Sequence, residues 1–317
     1  MKIALLLTPC SDENLQLAAQ VGASEIVATY PGLELGSLLE TKRRVESFGL
    51  RLGVIERFVP TMEFIHGTEK RDSQIEDFKT LIRNLGEAEV PILCYSWMPD
   101  DDWQRTSLTV ADRGGALVSE FDFRNPETFT SVTGFASIVE TSTSASQLWD
   151  NLEMFLNEVI PIAEDAGVKL AMHPDDPPIA SLRGQDRILS TPEAFERMVR
   201  MVDSASNGIC FCQGSFASHR DGYDIPDLIR RLAPHIVFGH FRDVVGAVPH
   251  FQETFQDSGK TDMVASLQAY LKSGIDCPIR PDHVPTLAGE TNEFPGYHMK
   301  GRLWAVGYMR GIIDSIS

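Results

Sequence analysis

The chain has 317 residues, 43% hydrophobic and 23% charged, with 45 acidic against 28 basic side chains and a net charge of −17. So acidic a surface disfavours nucleic acid and anionic membranes as partners, because both would be repelled. A small anionic substrate stays open, since local arginines or a metal ion reverse the field inside a pocket.

Residues 1–8 hold only a short apolar run, which predicts a first strand over 3–7 rather than a signal peptide. A helix follows near 13–21. Strand two is predicted over 25–28, with a helix over 36–48 stopped by Gly49. Strand three covers 51–55. Its helix, 73–86, places Ile75, Phe78, Ile82 and Leu85 on one face at helical spacing. Strand four is predicted over 91–97. Residues 98–146 are rich in Asp, Ser, Thr and Gly and lack strong periodicity. They are expected to be a lid-like insertion, because loops of that length are usually binding elements. A helix over 147–166 ends at Gly167 and leads into strand five, 168–172. Ser190-Thr-Pro-Glu193 reads as a cap with proline in the first turn of the next helix. Strand six (208–212), a helix (225–232), strand seven (236–241), a helix (263–271), strand eight (278–281) and a last helix (300–313) complete the pattern.

Eight strand-then-helix units predict parallel strands joined by right-handed crossovers. Several strands are apolar almost throughout, as a sheet covered on both faces requires. The predicted fold class is α/β, a (β/α)8 TIM barrel forming a single domain over 1–317, with the 98–146 insertion after strand 4. The turn after strand one has no Gly-x-Gly-x-x-Gly, and no phosphate loop occurs elsewhere, so no nucleotide cofactor is expected. No run approaches 18 apolar residues, so no membrane span is expected. Five cysteines, several inside apolar strands, suggest reduced thiols and a cytoplasmic location.

Barrel enzymes place their chemistry at the C-terminal ends of the strands. There, strand five ends in His173, followed by Asp175 and Asp176. Strand six ends in Cys212, nearer the rim than Cys210 on the same face. Strand seven delivers His240 and strand eight Asp282. Singly these are weak signals. A strand-end histidine is ordinarily a hydrogen-bonded structural residue, a buried cysteine is a small hydrophobe, and the two aspartates could cap a loop. Four ligand types at four equivalent positions carry the expectation of a metal. Two imidazoles, a thiolate and a carboxylate suit Mn²⁺, Fe²⁺, Co²⁺, Ni²⁺ or Zn²⁺ rather than Mg²⁺ or Ca²⁺. His283 lies at the same rim as a general base or acid. Tyr297, in the loop after strand eight, is either a proton donor or a packing aromatic. Arg242 and Arg280 flank the rim and could clamp a carboxylate; for Arg280 the alternative is an ion pair inside the barrel mouth. The loop after strand seven also offers His250, Glu253 and Asp257.

Several stretches, in order along the chain, resemble the mannonate dehydratase family of xylose-isomerase-like barrels. They are Arg83-Asn-Leu-Gly-Glu-Ala88, Pro91-Ile-Leu-Cys-Tyr95, Trp103-Gln-Arg-Thr106, His173-Pro-Asp-Asp-Pro-Pro178, Phe211-Cys-Gln-Gly-Ser215, His240-Phe-Arg242, Arg280-Pro-Asp-His283, Gly301-Arg302 and Tyr308-Met-Arg-Gly311. The resemblance implies a (β/α)8 barrel with a divalent ion, Mn²⁺ or similar. It implies a hydro-lyase that converts D-mannonate to 2-dehydro-3-deoxy-D-gluconate in hexuronate breakdown. The family's metal ligands fall on His173, Cys212, His240 and Asp282, and its acid/base pair on His283 and Tyr297. Trp103, Arg105, Asp175, Asp176, Arg242 and Arg280 are the implied substrate-binding residues. Two features depart from the family: the chain is short, and residues 284–293 lack the basic and bulky side chains found there. The expected partner is a small sugar acid, with no nucleic acid and no membrane; a homo-oligomer is compatible. Two other readings are a metal-dependent sugar isomerase or epimerase, which needs no leaving hydroxyl, and a non-catalytic sugar-acid binding barrel.

Overall fold

Alternation along each strand decides which side chains fill the centre. In the first strand Ile3 and Leu5 join the layer under the helices, while Ala4 and Leu6 face a second, interior cluster with Val27, Val54, Cys94 and Cys210. The computed structural model describes residues 1–100, 103–124, 130–131 and 142–316. Its eight barrel strands are β1 (Lys2–Leu6), β2 (Glu25–Ala28), β3 (Arg51–Ile55), β4 (Ile92–Ser96), β5 (Lys169–His173), β6 (Asn207–Cys212), β7 (Ile236–Phe241) and β8 (Pro278–Pro281). They pair in sequence order, and β8 closes on β1 through Lys2 opposite Pro278. The chain is the (β/α)8 barrel its strand count predicts. Register sets the rim: Ser96 lies beside His173, Cys212 beside His240, and His240 beside Arg280.

The helix Ala145–Ala166 shows how the outer layer is held. Ser144 and Gln147 form a capping box at its start, and Gly167 ends it at φ 67°. Its buried face carries Leu148, Leu152, Phe155, Leu156 and Val159. Phe155 stacks on Phe64 at 4.4 Å and meets Phe78 edge-on at 5.1 Å. Truncating such a ring to alanine costs about 3–5 kcal/mol, through lost burial and the cavity left behind. No helix among the described residues is long and apolar enough to cross a membrane.

The 98–146 insertion falls partly outside the described residues, at 101–102, 125–129 and 132–141. Its described part is more regular than expected. Ser107–Ala111 and Leu117–Asp122 pair with each other, and the second pairs with His250–Glu253 of the hairpin that follows β7. Phe121 stacks on Phe251 across this register at 5.5 Å. The resulting four-stranded antiparallel sheet carries Glu253, and the chain just before it carries Arg105.

Candidate active site

His173 ends β5, Cys212 ends β6 and His240 lies one residue from the end of β7. Their ligand atoms all lie within 4.8 Å of one another. Asp282, just after β8, joins them: Oδ2 is 3.6 Å from His240 Nδ1 and 3.9 Å from Cys212 Sγ. The four expected ligands therefore meet at one place.

Each imidazole is oriented from behind. His173 Nδ1 is 2.7 Å from the Pro174 carbonyl. That contact requires N–H at Nδ1 and leaves the Nε2 lone pair for a ligand bond. His240 is held the other way round, with Nε2 3.1 Å from Glu56 Oε1. Its Nδ1 is buried and has no hydrogen-bond partner, an orphan that a cation would satisfy. Arg280 grips both oxygens of Glu56 at 2.8 Å and Asp282 Oδ1 at 2.7 Å. One guanidinium thus orients Asp282 directly and His240 through Glu56.

Burial alone would raise the Cys212 thiol, but Arg242, His173 and His240 outweigh it and hold its pKa well below the ordinary range. A thiolate is the form that binds metal. Burial and Arg280 oppose a charged His240, yet Glu56 and Asp282 prevail and hold its pKa above the usual value. The two shifts have opposite origins: cationic and donor neighbours favour the Cys212 thiolate, and carboxylates favour a charged His240. Around them, the buried arginines Arg105, Arg242 and Arg280 face the carboxylates Glu56, Asp176, Glu253 and Asp282. With the Cys212 thiolate, and with His240 neutral as a ligand must be, these groups sum to two negative charges, which one divalent cation would offset. The donor set, the orphan Nδ1 and this charge balance all fit the expected metal.

His283 Nδ1 lies 3.1 Å from Glu253 Oε1. The shorter, charged contact outranks Arg105 Nη2 at 3.5 Å and makes Nδ1 the donor, so Nε2 is free to accept a proton. The ring stacks on Trp103 at 4.1 Å, and its backbone sits at φ 46°. Tyr297 donates its hydroxyl to Asp282 Oδ1 at 3.3 Å. Burial pushes its pKa far above the ordinary phenol value, so it keeps its proton.

The remaining expected residues form a support. Arg105 makes a bidentate contact with Asp176 at 2.9 and 3.0 Å and reaches Glu253 at 2.6 Å. Arg242 binds Glu253 through Nε and Nη2 at 2.8 and 2.6 Å and Asp176 at 2.6 Å. Gly214 makes room for it; a Cβ there would come within 2.5 Å of Arg242 Cδ. The guanidiniums of Arg105, Arg242 and Arg280 are thus committed to protein carboxylates. Asp175 accepts from Leu189 N–H and Ser190 Oγ, and burial raises its pKa to about 6. Its oxygen caps the loop ahead of the next helix, while Asp176 faces the pocket. That pocket, of about 390 Å³, is also lined by Trp103, His173, Asp282, His283 and Tyr297. Glu56 escaped the strand-end reading, although it directly follows β3. The rule that found His173 would have found it had it been applied to the first four strands.

A family model described as D-mannonate dehydratase (UxuA) matches residues 14–317. Mannonate dehydratase 2 of Halalkalibacterium halodurans is 34% identical over 339 residues, covering 98% of this chain and 97% of that protein. An alignment longer than the chain means that its shortness reflects internal gaps. The crystal structure of mannonate dehydratase from Streptococcus suis serotype 2 superposes with a TM-score of 0.91 at 32% identity, covering 100% of this chain and 95% of that one. A xylose isomerase-like TIM barrel protein from Mycobacterium smegmatis, at 13% identity and a TM-score of 0.66, shares the fold. The chain belongs to the D-mannonate dehydratase family.

Proposed function

We propose that this hydro-lyase dehydrates D-mannonate to 2-dehydro-3-deoxy-D-gluconate. The observation that carries the proposal is the junction at Asp282, which touches the three-ligand cluster on one side and Tyr297 on the other. We assign His173, Cys212, His240 and Asp282 to a divalent transition metal, Mn²⁺ first among Mn²⁺, Fe²⁺, Co²⁺, Ni²⁺ and Zn²⁺. The bound ion would stabilise the negative charge that develops when a weakly acidic C–H next to the carboxylate is broken.

His283 takes the C2 proton at Nε2, because Glu253 fixes the tautomer that leaves this nitrogen basic. Tyr297 gives its proton to the departing C3 hydroxyl. A donor is what distinguishes a dehydration site from an isomerase site, which has no leaving hydroxyl to protonate. Trp103 holds the His283 ring by stacking. Arg105, Arg242 and Asp176 set Glu253 and the pocket wall. Residues 98–146 act as a lid over a single-domain barrel. The five free thiols suit work in the cytoplasm on a small sugar acid, without nucleic acid or membrane.

The test is to incubate metal-loaded protein with D-mannonate and follow 2-keto-3-deoxy acid, with fructuronate and other aldonates in parallel. Product from D-mannonate is expected. No keto-acid from any aldonate would overturn the dehydratase reading.

A further inference from the structure

The barrel interior holds a second group of metal-ligand side chains, one layer deeper than the first. Cys94 in β4, Cys210 in β6 and His240 in β7 are all buried, and their ligand atoms lie within 4.8 Å of one another. Cys210 Sγ is 3.3 Å from His240 Nε2. The other nitrogen of the same ring, Nδ1, faces Asp282 and the outer ligand set. Cys94 also lines the pocket, so the group is reached from the pocket floor.

Two thiols this close invite a disulfide, but the strand spacing excludes one. Cys94 lies beside Ala171 in β5, and Ala171 beside Gly208 in β6, so the thiols come from strands two apart. That places their Cα atoms roughly 9–10 Å apart, beyond the reach of about 7 Å that a disulfide allows. A metal spans the gap: with metal–sulfur bonds of about 2.3 Å, two sulfurs on one ion lie up to about 4.6 Å apart. Ala171, which shares the interior cluster, is too small to keep the sulfurs apart. Burial raises the Cys210 thiol well above its ordinary pKa, so an ion must form strong thiolate bonds to displace the proton. Mg²⁺ and Mn²⁺ prefer oxygen donors, whereas Zn²⁺ and softer ions accept thiolates. A dication with two thiolates carries no net charge, as a dry interior requires.

We propose that Cys94, Cys210 and His240 form a second cation site in the barrel interior, for a thiophilic divalent ion, Zn²⁺ first. It lies beneath the ion assigned to His173, Cys212, His240 and Asp282. His240 serves both, with Nδ1 toward the outer ion and Nε2 toward the inner. As the inner bonds form, the two thiol protons and the ring proton that faces Glu56 leave to solvent; Glu56 keeps Arg280 as its partner. The site concerns metal uptake and not turnover, so it does not rest on the dehydratase reading.

The experiment is titration of the full-length, metal-free protein with Cd²⁺, a spectroscopic stand-in for Zn²⁺, with excess Mg²⁺ present to fill surface carboxylates. Thiolate-to-Cd²⁺ charge-transfer absorption is followed, and bound equivalents are counted after dialysis. Wild type, Cys210→Ala, Cys94→Ala and Cys212→Ser are compared. Wild type is expected to hold two equivalents. Each alanine variant should hold one and lose about two-thirds of the absorption, because the inner ion carries two of the three thiolates. Cys212→Ser should hold one equivalent and keep about two-thirds of the absorption. Should one alanine variant melt early, the other decides, since the two thiols sit on different strands. A wild type holding a single equivalent that only Cys212→Ser removes would overturn the proposal, as would alanine variants that still hold two. A single equivalent lost in the alanine variants and kept in Cys212→Ser would uphold the inner site and overturn the outer ligand set instead.

Discussion

Replacing Glu253 with glutamine removes the charge on which Arg105, Arg242 and His283 converge. In the native site Glu253 accepts from Arg105 Nη2 at 2.6 Å, from Arg242 Nε and Nη2 at 2.8 and 2.6 Å, and from His283 Nδ1 at 3.1 Å. All three cationic or donor partners are buried, and Arg105 and Arg242 are fully so. Burial by itself would raise the Glu253 carboxyl; Arg242, His283 and Arg105 outweigh it and lower its pKa to about 2. The glutamine leaves Asp176 as the one carboxylate shared by two buried guanidiniums and turns an amide N–H₂ toward donors. Breaking a buried ion pair in this way costs about 3–5 kcal/mol. With an unfolding entropy of about 2 cal/mol/K per residue, the melting temperature should fall by roughly 4–8 °C. Activity should fall further than stability, because His283 loses the acceptor that fixes its tautomer. A drop in kcat of roughly 10⁴-fold is the order expected when the carboxylate behind a catalytic imidazole is neutralised. Differential scanning calorimetry and steady-state turnover of D-mannonate at matched metal occupancy measure the two effects. A variant that melts within about 1 °C of wild type and keeps kcat within about tenfold would refute the reasoning.

Tyr297→Phe removes the proposed proton donor and its bond to Asp282 without opening a large void. It should keep its metal and lose turnover by roughly 10²-fold or more; elemental analysis and kcat together check this, and full activity would remove Tyr297 from the mechanism. Glu56→Gln should lower metal affinity by roughly 10–100-fold through His240, read by competition titration with a chromophoric chelator. An unchanged affinity would show that Glu56 serves Arg280 alone.

Short strands apolar almost throughout, recurring at regular intervals between helices, made the barrel legible, because a strand covered on both faces needs no polar alternation. The convergence of His173, Cys212, His240 and Asp282 was legible for a related reason: closing the barrel forces strand ends into one ring. Pairings that depend on distant chain segments were not legible. Ser107–Ala111 and Leu117–Asp122 hold their alternation only weakly, and their partner strand His250–Glu253 lies more than a hundred residues on. Arg105 and Glu253 meet only through that sheet, so their ion pair has no local signature. Arg242 and Arg280 look alike to rim cations in the sequence. Only packing shows that each is bound to two protein carboxylates. Gly214 before Ser215 carries a hint, since its missing Cβ is what admits Arg242.

The claim on which the rest depends is that His173, Cys212, His240 and Asp282 hold one divalent ion. Elemental analysis of wild type and Cys212→Ser, each loaded with Mn²⁺ and then exhaustively dialysed, tests it most directly. One equivalent of metal in the wild type and strong loss in the variant is the predicted result, because a hydroxyl is a poor ligand where a thiolate stood. Equal metal content in the two proteins would contradict it.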